Sequence, residues 1–409
     1  MRERLLIIGG GMAGVKLVEE LAAACPERFA ITIVCDEAQP GYNRVLLSAL
    51  LAKDVSEADI RLKDAAWYGA HGIELITGDG VATIDIASKT AVLGSGRKIT
   101  FERVVFATGS SPIRLPLPGS ELPGVIAFRD LNDVAVMEKA ASNGQRIAVI
   151  GGGLLGIEAA YGLAKRGADV RLIHVMDSLM ERQLDRPAAA ILKREIERKG
   201  VKVLLAKSST AITGNGKVEA LTFADGTALS CDMVVFAVGI RPNVALAKTA
   251  GVPVNRGIVV DDALQSASAD VYALGECAEH QGNVYGLVEP AYQQAKVLAA
   301  HLAGEQANYG GTLLATNLKV SGVPVFSAGD FMGGDGTQSI VATDPRQGLY
   351  KKLVLKGSAL VGVVLIGDAD DALWYLDLVR RNVDISAMRS NLAFGPSYVC
   401  APVLASIAA

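Results

Sequence analysis

The sequence has no C-x-x-C pair, and its five cysteines (Cys25, Cys35, Cys231, Cys277 and Cys400) are scattered and odd in number. That excludes a disulfide framework and fits a reducing cytoplasm. Histidine is also scarce. His71, His174, His280 and His301 are dispersed without metal-ligand spacing, so no metal site is expected. No long basic run occurs and the formal net charge is −3, which argues against nucleic acid as a partner. Long apolar runs are missing too: Leu360–Ile366 falls far short of the roughly 18–20 residues that a membrane span needs. A strand pattern begins at Leu5–Ile8, which leaves no room for a signal peptide.

What is present is apolar material for large cores. Half of the 409 residues are hydrophobic, enough for two or three domains. The chain opens with a continuous apolar run, Leu5-Leu6-Ile7-Ile8, as a strand buried on both faces requires. The turn Gly9-Gly10-Gly11-Met12-Ala13-Gly14 follows, then helical periodicity over Val15–Cys25 ended by Pro26. A second strand, Ile31–Val34, runs into Asp36-Glu37. The same grammar returns with strand Arg146–Ile150, turn Gly151-Gly152-Gly153-Leu154-Leu155-Gly156, a helix over Glu158–Lys165 closed by Gly167, and strand Val170–Ile173. The chain therefore carries two dinucleotide-binding units.

In a G-x-G-x-x-G turn the first glycine permits the tight turn, the second lets backbone approach a pyrophosphate, and the third lets helix pack close to strand. Gly9, Gly11 and Gly14 fill these places in one unit, and Gly151, Gly153 and Gly156 in the other. The phosphates would rest on N–H groups at the helix N-terminus. A carboxylate after the second strand can bind adenosine ribose hydroxyls, and Asp36, with Glu37 next, is the candidate in the first unit. The corresponding residue of the second unit reads as His174, not an acid, so NADH and NADPH both stay open. Glu158, at the start of the second helix, suits the helix dipole; the functional reading is contact with the nicotinamide end of the cofactor.

Between the units lie short strands at Val81–Ile86, Thr90–Val92 and Val104–Phe106, the last leading into Ala107-Thr108-Gly109. Pro112, Pro116, Pro118 and Pro123 then resist helix and sheet alike and read as a crossover, with a second one at Gly239–Asn243. A helix pattern covers Ala291–Leu302. Strands are expected at Val320–Ser327, Ser339–Ala342, Tyr350–Lys356 and Leu360–Ile366, and an amphipathic helix at Ala372–Arg381.

Ala107-Thr108-Gly109, the second glycine turn and Tyr272-Ala273-Leu274-Gly275-Glu276, in that order, resemble the FAD-dependent pyridine-nucleotide oxidoreductases. Tyr42-Asn43-Arg44-Val45-Leu46-Leu47-Ser48 is similar to their rubredoxin- and ferredoxin-reductase branch. Leu179–Asp185, Gly275–His280, Asn317–Gly322, Trp374–Leu378 and Phe394-Gly395-Pro396 resemble the flavin module of the assimilatory NAD(P)H nitrite reductase large subunit. The resemblance covers essentially the whole chain. It implies that Gly9, Gly11, Met12, Ala13 and Gly14 hold the FAD pyrophosphate, and Asp36 its ribose. It places Arg44 and Ser48 in the flavin cleft, Val81 at the adenine, Ala107, Thr108 and Gly109 over the FAD, and Arg129 as a positive contact. Gly275-Glu276 would meet the ribityl chain, Glu276 being longer than the usual Asp, and Val288-Glu289 would lie near the isoalloxazine. Gly151, Gly153, Leu154, Leu155, Gly156, Glu158, His174, Val238 and Gly239 would hold the nicotinamide nucleotide. Two departures stand out. Ala49 replaces the lysine expected after Leu47-Ser48, with Lys53 the nearest substitute. After Phe394-Gly395-Pro396 only Cys400 and the tail 401–409 follow, so a free-standing flavin module, unable to reduce nitrite itself, is expected.

The expected architecture is α/β: two Rossmann-like dinucleotide-binding domains of the three-layer ββα type and a C-terminal α+β domain. The FAD domain would comprise residues 1–115 and 242–320, with the NAD(P)H domain, 116–241, inserted between them, and the C-terminal domain spanning 321–409. That last domain would pack over the flavin or form a homodimer face. The expected function is hydride transfer from NADH or NADPH to FAD, followed by electron transfer to a separate protein. The nitrate and nitrite reductase system comes first as that acceptor, and a rubredoxin, ferredoxin or haem protein second. Disulfide or peroxide reduction is less favoured, because no cysteine stands at residues 42–46 and Cys277, beside the flavin motif, is single. A non-enzymatic NAD(P)H-responsive flavoprotein is the remaining alternative.

Overall fold

In a computed structural model, which describes residues 2–39, 41–313 and 315–399, the chain forms two compact units. The first holds the chain up to Leu50, Asp54–Pro112 and Ile240–Thr312. The second holds Leu51–Lys53, Ile113–Gly239 and the chain from Leu313 onward.

The first unit is built on a five-stranded parallel sheet in the order Val271–Ala273, Arg103–Phe106, Glu3–Ile8, Phe29–Val34, Glu74–Ile76. Its central strand is the opening apolar run. Leu5, Leu6 and Ile7 are almost wholly buried, because a strand with neighbours on both edges and layers on both faces has no solvent side. Helices Met12–Ala24 and Val288–Ala303 pack on one another. A separate antiparallel sheet of Val81–Asp85, Thr90–Leu93 and Lys98–Thr100 adds the further layer.

The second unit repeats this plan. Its parallel sheet runs Lys202–Leu204, Asp169–Ile173, Arg146–Ile150, Met233–Phe236, Val125–Ala127, and its antiparallel sheet is Ser209–Thr213, Ala220–Phe223 and Ala228–Ser230. The expected α/β class with two Rossmann-like halves is therefore present. Helix Leu131–Ser142 starts with a capping box in which Asp130 accepts from the Asp133 amide (2.9 Å) and Asp133 from the Asp130 amide (3.2 Å).

The prolines of the first crossover do not keep it out of sheet. Ser110–Pro112 pairs antiparallel with Ile240–Pro242, so the two crossovers form a short two-stranded sheet. Each strand is three residues long and ends on its proline, and in a two-stranded sheet both strands are edges, where a missing N–H is tolerated.

The C-terminal part is a five-stranded antiparallel sheet, Ala315–Val320, Val323–Gly329, Ala359–Ile366, Leu349–Lys356, Thr337–Asp344, with helix Ala372–Arg381 packed on it. The strand expected at Val320–Ser327 is found as Val323–Gly329, with Val320 ending the strand before it across a tight turn. Val320 pairs with Val323, and Ser321 (φ 51°) and Gly322 (φ 83°) both take the left-handed conformation that a tight two-residue hairpin turn requires. Asp185 ties this sheet to the nucleotide half of the same unit. Its carboxylate caps helix Arg186–Arg198 at Ala188 (3.2 Å), accepts from the Tyr350 hydroxyl (2.8 Å) and pairs with Lys352 (3.3 Å).

Asp185→Ala removes a cap and strands the buried Tyr350 hydroxyl and the partly buried Lys352 ammonium, so it is expected to destabilise the protein by about 2–5 kcal/mol in urea unfolding. The exposed Asp177–Arg186 pair is the control, and Asp177→Ala should cost no more than about 1 kcal/mol. Burial, reinforced by the neighbouring Asp130 carboxylate, pushes Asp133 up to about 6. The folded state thus keeps a proton that the unfolded chain releases near pH 4. Stability should fall as pH rises from about 4 to 6 and then level off. In Asp133→Asn, melting temperatures between pH 4 and 7 should lose that slope.

Candidate functional site

The first glycine turn is shaped by close backbone approaches. Gly9 has φ 117°, and a Cβ there would overlap the Ala107 carbonyl oxygen. A Cβ at Gly14 would overlap the Gly9 carbonyl, so the helix Met12–Ala24 sits against the strand as only glycine allows. Gly11 differs: nothing lies within 4 Å of where its Cβ would be. The helix begins there with no side-chain cap and no acid in its first turn. Its leading amides, at Met12, Ala13 and Gly14, therefore form an anion-seeking end with an open approach.

The second turn repeats each feature. Gly151 has φ 129° and faces the Ala237 carbonyl; Gly156 faces the Gly151 carbonyl; Gly153 is open. Helix Leu154–Lys165 likewise starts without a side-chain cap or acid. Both turns fit the pyrophosphate of a dinucleotide. Ala237-Val238-Gly239 occupies the place after strand Met233–Phe236 that Ala107-Thr108-Gly109 occupies after Arg103–Phe106. Glu158 is half-buried in the second turn of its helix.

Around the first turn the structure gathers most of the expected residues. Gly275 (φ 77°) packs so closely on Ala13 that a Cβ would press on it, and its N–H donates to the buried Gln294 side chain (2.7 Å). The Glu276 carboxylate accepts from the Ser110 hydroxyl at 2.6 Å. Thr108 and Asn243 grip one another: the Thr108 hydroxyl donates to the Asn243 carbonyl (2.7 Å), and the Asn243 amide donates to the Thr108 carbonyl (2.9 Å). Gly109 (φ 62°) accepts from the Asn243 backbone N–H (2.9 Å). Val288 and Glu289 open a third helix without a side-chain cap, Val288–Ala303, where Glu289 accepts from Gln293 (3.1 Å).

The two acids after the second strand have separate fates. Glu37 is taken by the Arg44 guanidinium and the Tyr42 hydroxyl (2.7 Å), while Asp36 is exposed. Gly80 packs on the Asp36 side chain, which brings Val81 beside that acid. Ser48 is half-buried in the short helix Leu47–Leu51. Arg129 lies in the second unit, its amide donating to Asp133 (2.7 Å).

His174 needs a correction of register. Ile8 pairs with Val34 and Ile150 with Ile173, so His174 matches Cys35, and Val175 is the residue that matches Asp36. Its ring lies over Gly152 much as Cys35 lies against Gly10. Residues that sequence reasoning missed are Ser110, Asn243, Gln294, Ala237 and Glu181, the last 3.0 Å from the His174 ring. The repeat of Ala107-Thr108-Gly109 as Ala237-Val238-Gly239 was a visible signal; the side-chain partners had none.

Three of the four described thiols are buried, and Cys25 is half-buried. Cys277 is fully buried, donates to the Phe106 and Leu274 carbonyls (3.4 and 3.3 Å), and burial pushes its pKa up, the opposite of an activated thiolate. Cys35 and Cys231 are buried as well, and Cys400 lies outside the described residues. His280 is buried against Asp262 (2.7 Å). Among the described residues no helix is long and apolar enough to cross a membrane.

The family model for pyridine nucleotide-disulphide oxidoreductases matches residues 3–295, and that for the rubredoxin NAD+ reductase C-terminal domain matches residues 315–383. The NAD(P)H nitrite reductase of Bacillus subtilis (strain 168) is 46% identical over 386 residues, covering 94% of this chain and 48% of that protein. The assimilatory nitrate reductase electron transfer subunit of the same organism is 41% identical over 392 residues, covering 96% and 51%. The chain thus spans about half the length of these curated relatives. The crystal structure of NADH:rubredoxin oxidoreductase from Clostridium acetobutylicum superposes with a TM-score of 0.78 at 26% identity, covering 96% of this chain and 99% of that one.

Because each turn closes on its own glycine contact, the two should fail separately. Gly14→Ala is expected to yield protein stripped of flavin. Gly156→Ala is expected to keep its flavin spectrum but lose nicotinamide-nucleotide binding. Absorbance of the purified variants and calorimetric titration with NAD+ read the two effects.

Proposed function

The chain belongs to the pyridine nucleotide-disulphide oxidoreductase family, and we propose that it is an FAD-dependent NAD(P)H oxidoreductase that passes electrons to a separate redox protein. The observation that carries this reading is the pair of matching glycine turns, each with an uncapped helix N-terminus and one open glycine, in a chain whose Cys277 thiol is sealed in the core. Among the described residues the one cysteine in the flavin-type motif turns its thiol away into the core, which favours a protein acceptor over a disulfide.

In this reading Gly9–Gly14 and the following helix end hold the FAD pyrophosphate, and Asp36 holds the ribose. Ser110 steers Glu276 toward the ribityl chain, and the Thr108–Asn243 grip fixes the backbone that closes over the cofactor. Gly151–Gly156 hold the nicotinamide nucleotide, with Glu158 directed to its nicotinamide end and Val238-Gly239 beside it. Bound FAD supplies the conversion between two-electron hydride chemistry and single-electron delivery. The protein's own part is orientation and exclusion of water; hydride transfer asks for no proton donor.

An assimilatory nitrate or nitrite reductase system is the acceptor this reading favours, because the 46% and 41% identical relatives carry those names. The second reading, a rubredoxin or ferredoxin reductase, is favoured by the match of residues 315–383 to the rubredoxin reductase C-terminal domain.

Anaerobic addition of NADH or NADPH should bleach the flavin, and a nitrate or nitrite reductase should reoxidise it; absence of bleaching with either nucleotide removes the reading. Reoxidation by rubredoxin or ferredoxin alone would instead select the second reading. Glu158→Ala, by loosening the orientation of the nicotinamide end, should slow bleaching in stopped flow by about tenfold or more while FAD stays bound.

A further inference from the structure

With the Gly151–Gly156 turn read as the nicotinamide-nucleotide site, its adenosine end lacks the acid that the first turn has. The residues in register with Asp36 and Glu37 are Val175 and Met176, both exposed (59% and 45%), and neither side chain can accept from a ribose hydroxyl as a carboxylate does. A carboxylate nevertheless reaches this edge, from seven residues beyond His174.

The segment that delivers it is clamped onto the turn. The Gly152 N–H donates to His174 Nδ1 (3.0 Å), and the Gly152 carbonyl accepts from the Met180 N–H (3.0 Å). Met180 takes a left-handed conformation (φ 51°) at that point. Since Nδ1 accepts, the ring proton sits on Nε2, which donates to Glu181 Oε2 at 3.0 Å. His174 is nearly enclosed while the Glu181 side chain stays 32% exposed, so the imidazole fixes the carboxylate and leaves it accessible. Two cations of this region are held by other acids: Lys207, whose amide donates to the His174 carbonyl, turns its ammonium to Asp225, and Arg186 pairs with Asp177 (2.6 Å); Arg182, next to Glu181, is exposed.

We propose that Glu181 is the nucleotide-selecting residue and that His174 positions it. The carboxylate accepts from the adenosine ribose hydroxyls and opposes the charge of a 2′-phosphate, so the site takes NADH in preference to NADPH. This rests on the reading of the second turn given above.

Calorimetric titration of the FAD-loaded protein with NAD+ and NADP+ tests it. The expected result is NAD+ binding about tenfold or more tighter than NADP+. Glu181→Gln, nearly isosteric, should lose most of that ratio with flavin content and melting temperature unchanged, and Glu181→Arg should reverse it. Equal affinities in the unaltered protein overturn the proposal. So does a Glu181→Gln variant that weakens both nucleotides equally, which would mean that the carboxylate only braces His174. Binding of neither nucleotide would fell the underlying reading of the turn, a result distinct from equal affinities.

Discussion

Two carbonyl oxygens govern this molecule. The Ala107 oxygen fills the space where a side chain at Gly9 would be, and the Ala237 oxygen does the same at Gly151. Each contact brings the end of a neighbouring parallel strand against the start of a turn. The next approach, Gly14 on the Gly9 carbonyl or Gly156 on the Gly151 carbonyl, brings the helix down onto it. Only then does the helix end stand open with its leading amides uncapped. An anion-binding end is therefore a consequence of packing so tight that no Cβ fits, and the charge preference follows from N–H groups that the helix cannot satisfy itself.

Threading one such half through the other requires two crossings, and this chain pairs them. Ser110–Pro112 and Ile240–Pro242 form a two-stranded sheet, and Thr108 and Asn243 exchange hydrogen bonds beside it. The segment after strand Arg103–Phe106 is thus pinned to the return crossing. Asp185 plays a similar part in the second unit, since one buried carboxylate caps a helix and binds Tyr350 and Lys352 of the C-terminal sheet. The motif Leu179–Asp185 thereby serves two ends: Met180 and Glu181 face the glycine turn, and Asp185 faces the antiparallel sheet.

The residue sequence by itself determined the parts whose chemistry is local. Glycines at fixed spacing between an apolar run and a helical pattern allow one kind of turn, so both turns, their flanking elements and the α/β class were legible. So was the helix Ala372–Arg381, whose apolar periodicity is complete within ten residues. Short features with nonlocal causes were misread. The Ser321-Gly322 turn that divides Val320 from Val323 reads as strand, and the pairing of Pro112 with Ile240 joins segments more than a hundred residues apart.

Tertiary structure alone decided which side chains meet. Glu37 rather than Asp36 takes Arg44, because the chain after the second strand folds back toward Tyr42 and Arg44. Cys277 follows a flavin-type motif yet turns its thiol into the core between two carbonyls. Strand register, which no composition reveals, puts His174 level with Cys35, and the clamp on Gly152 carries Glu181 to the edge that Val175 leaves without an acid. Backbone geometry could be read from residue types because glycine and apolar periodicity act over one turn or one strand. The partners of Glu276, Thr108 and His174 could not, because hydrogen bonds between distant segments exist only after the sheets have set their register.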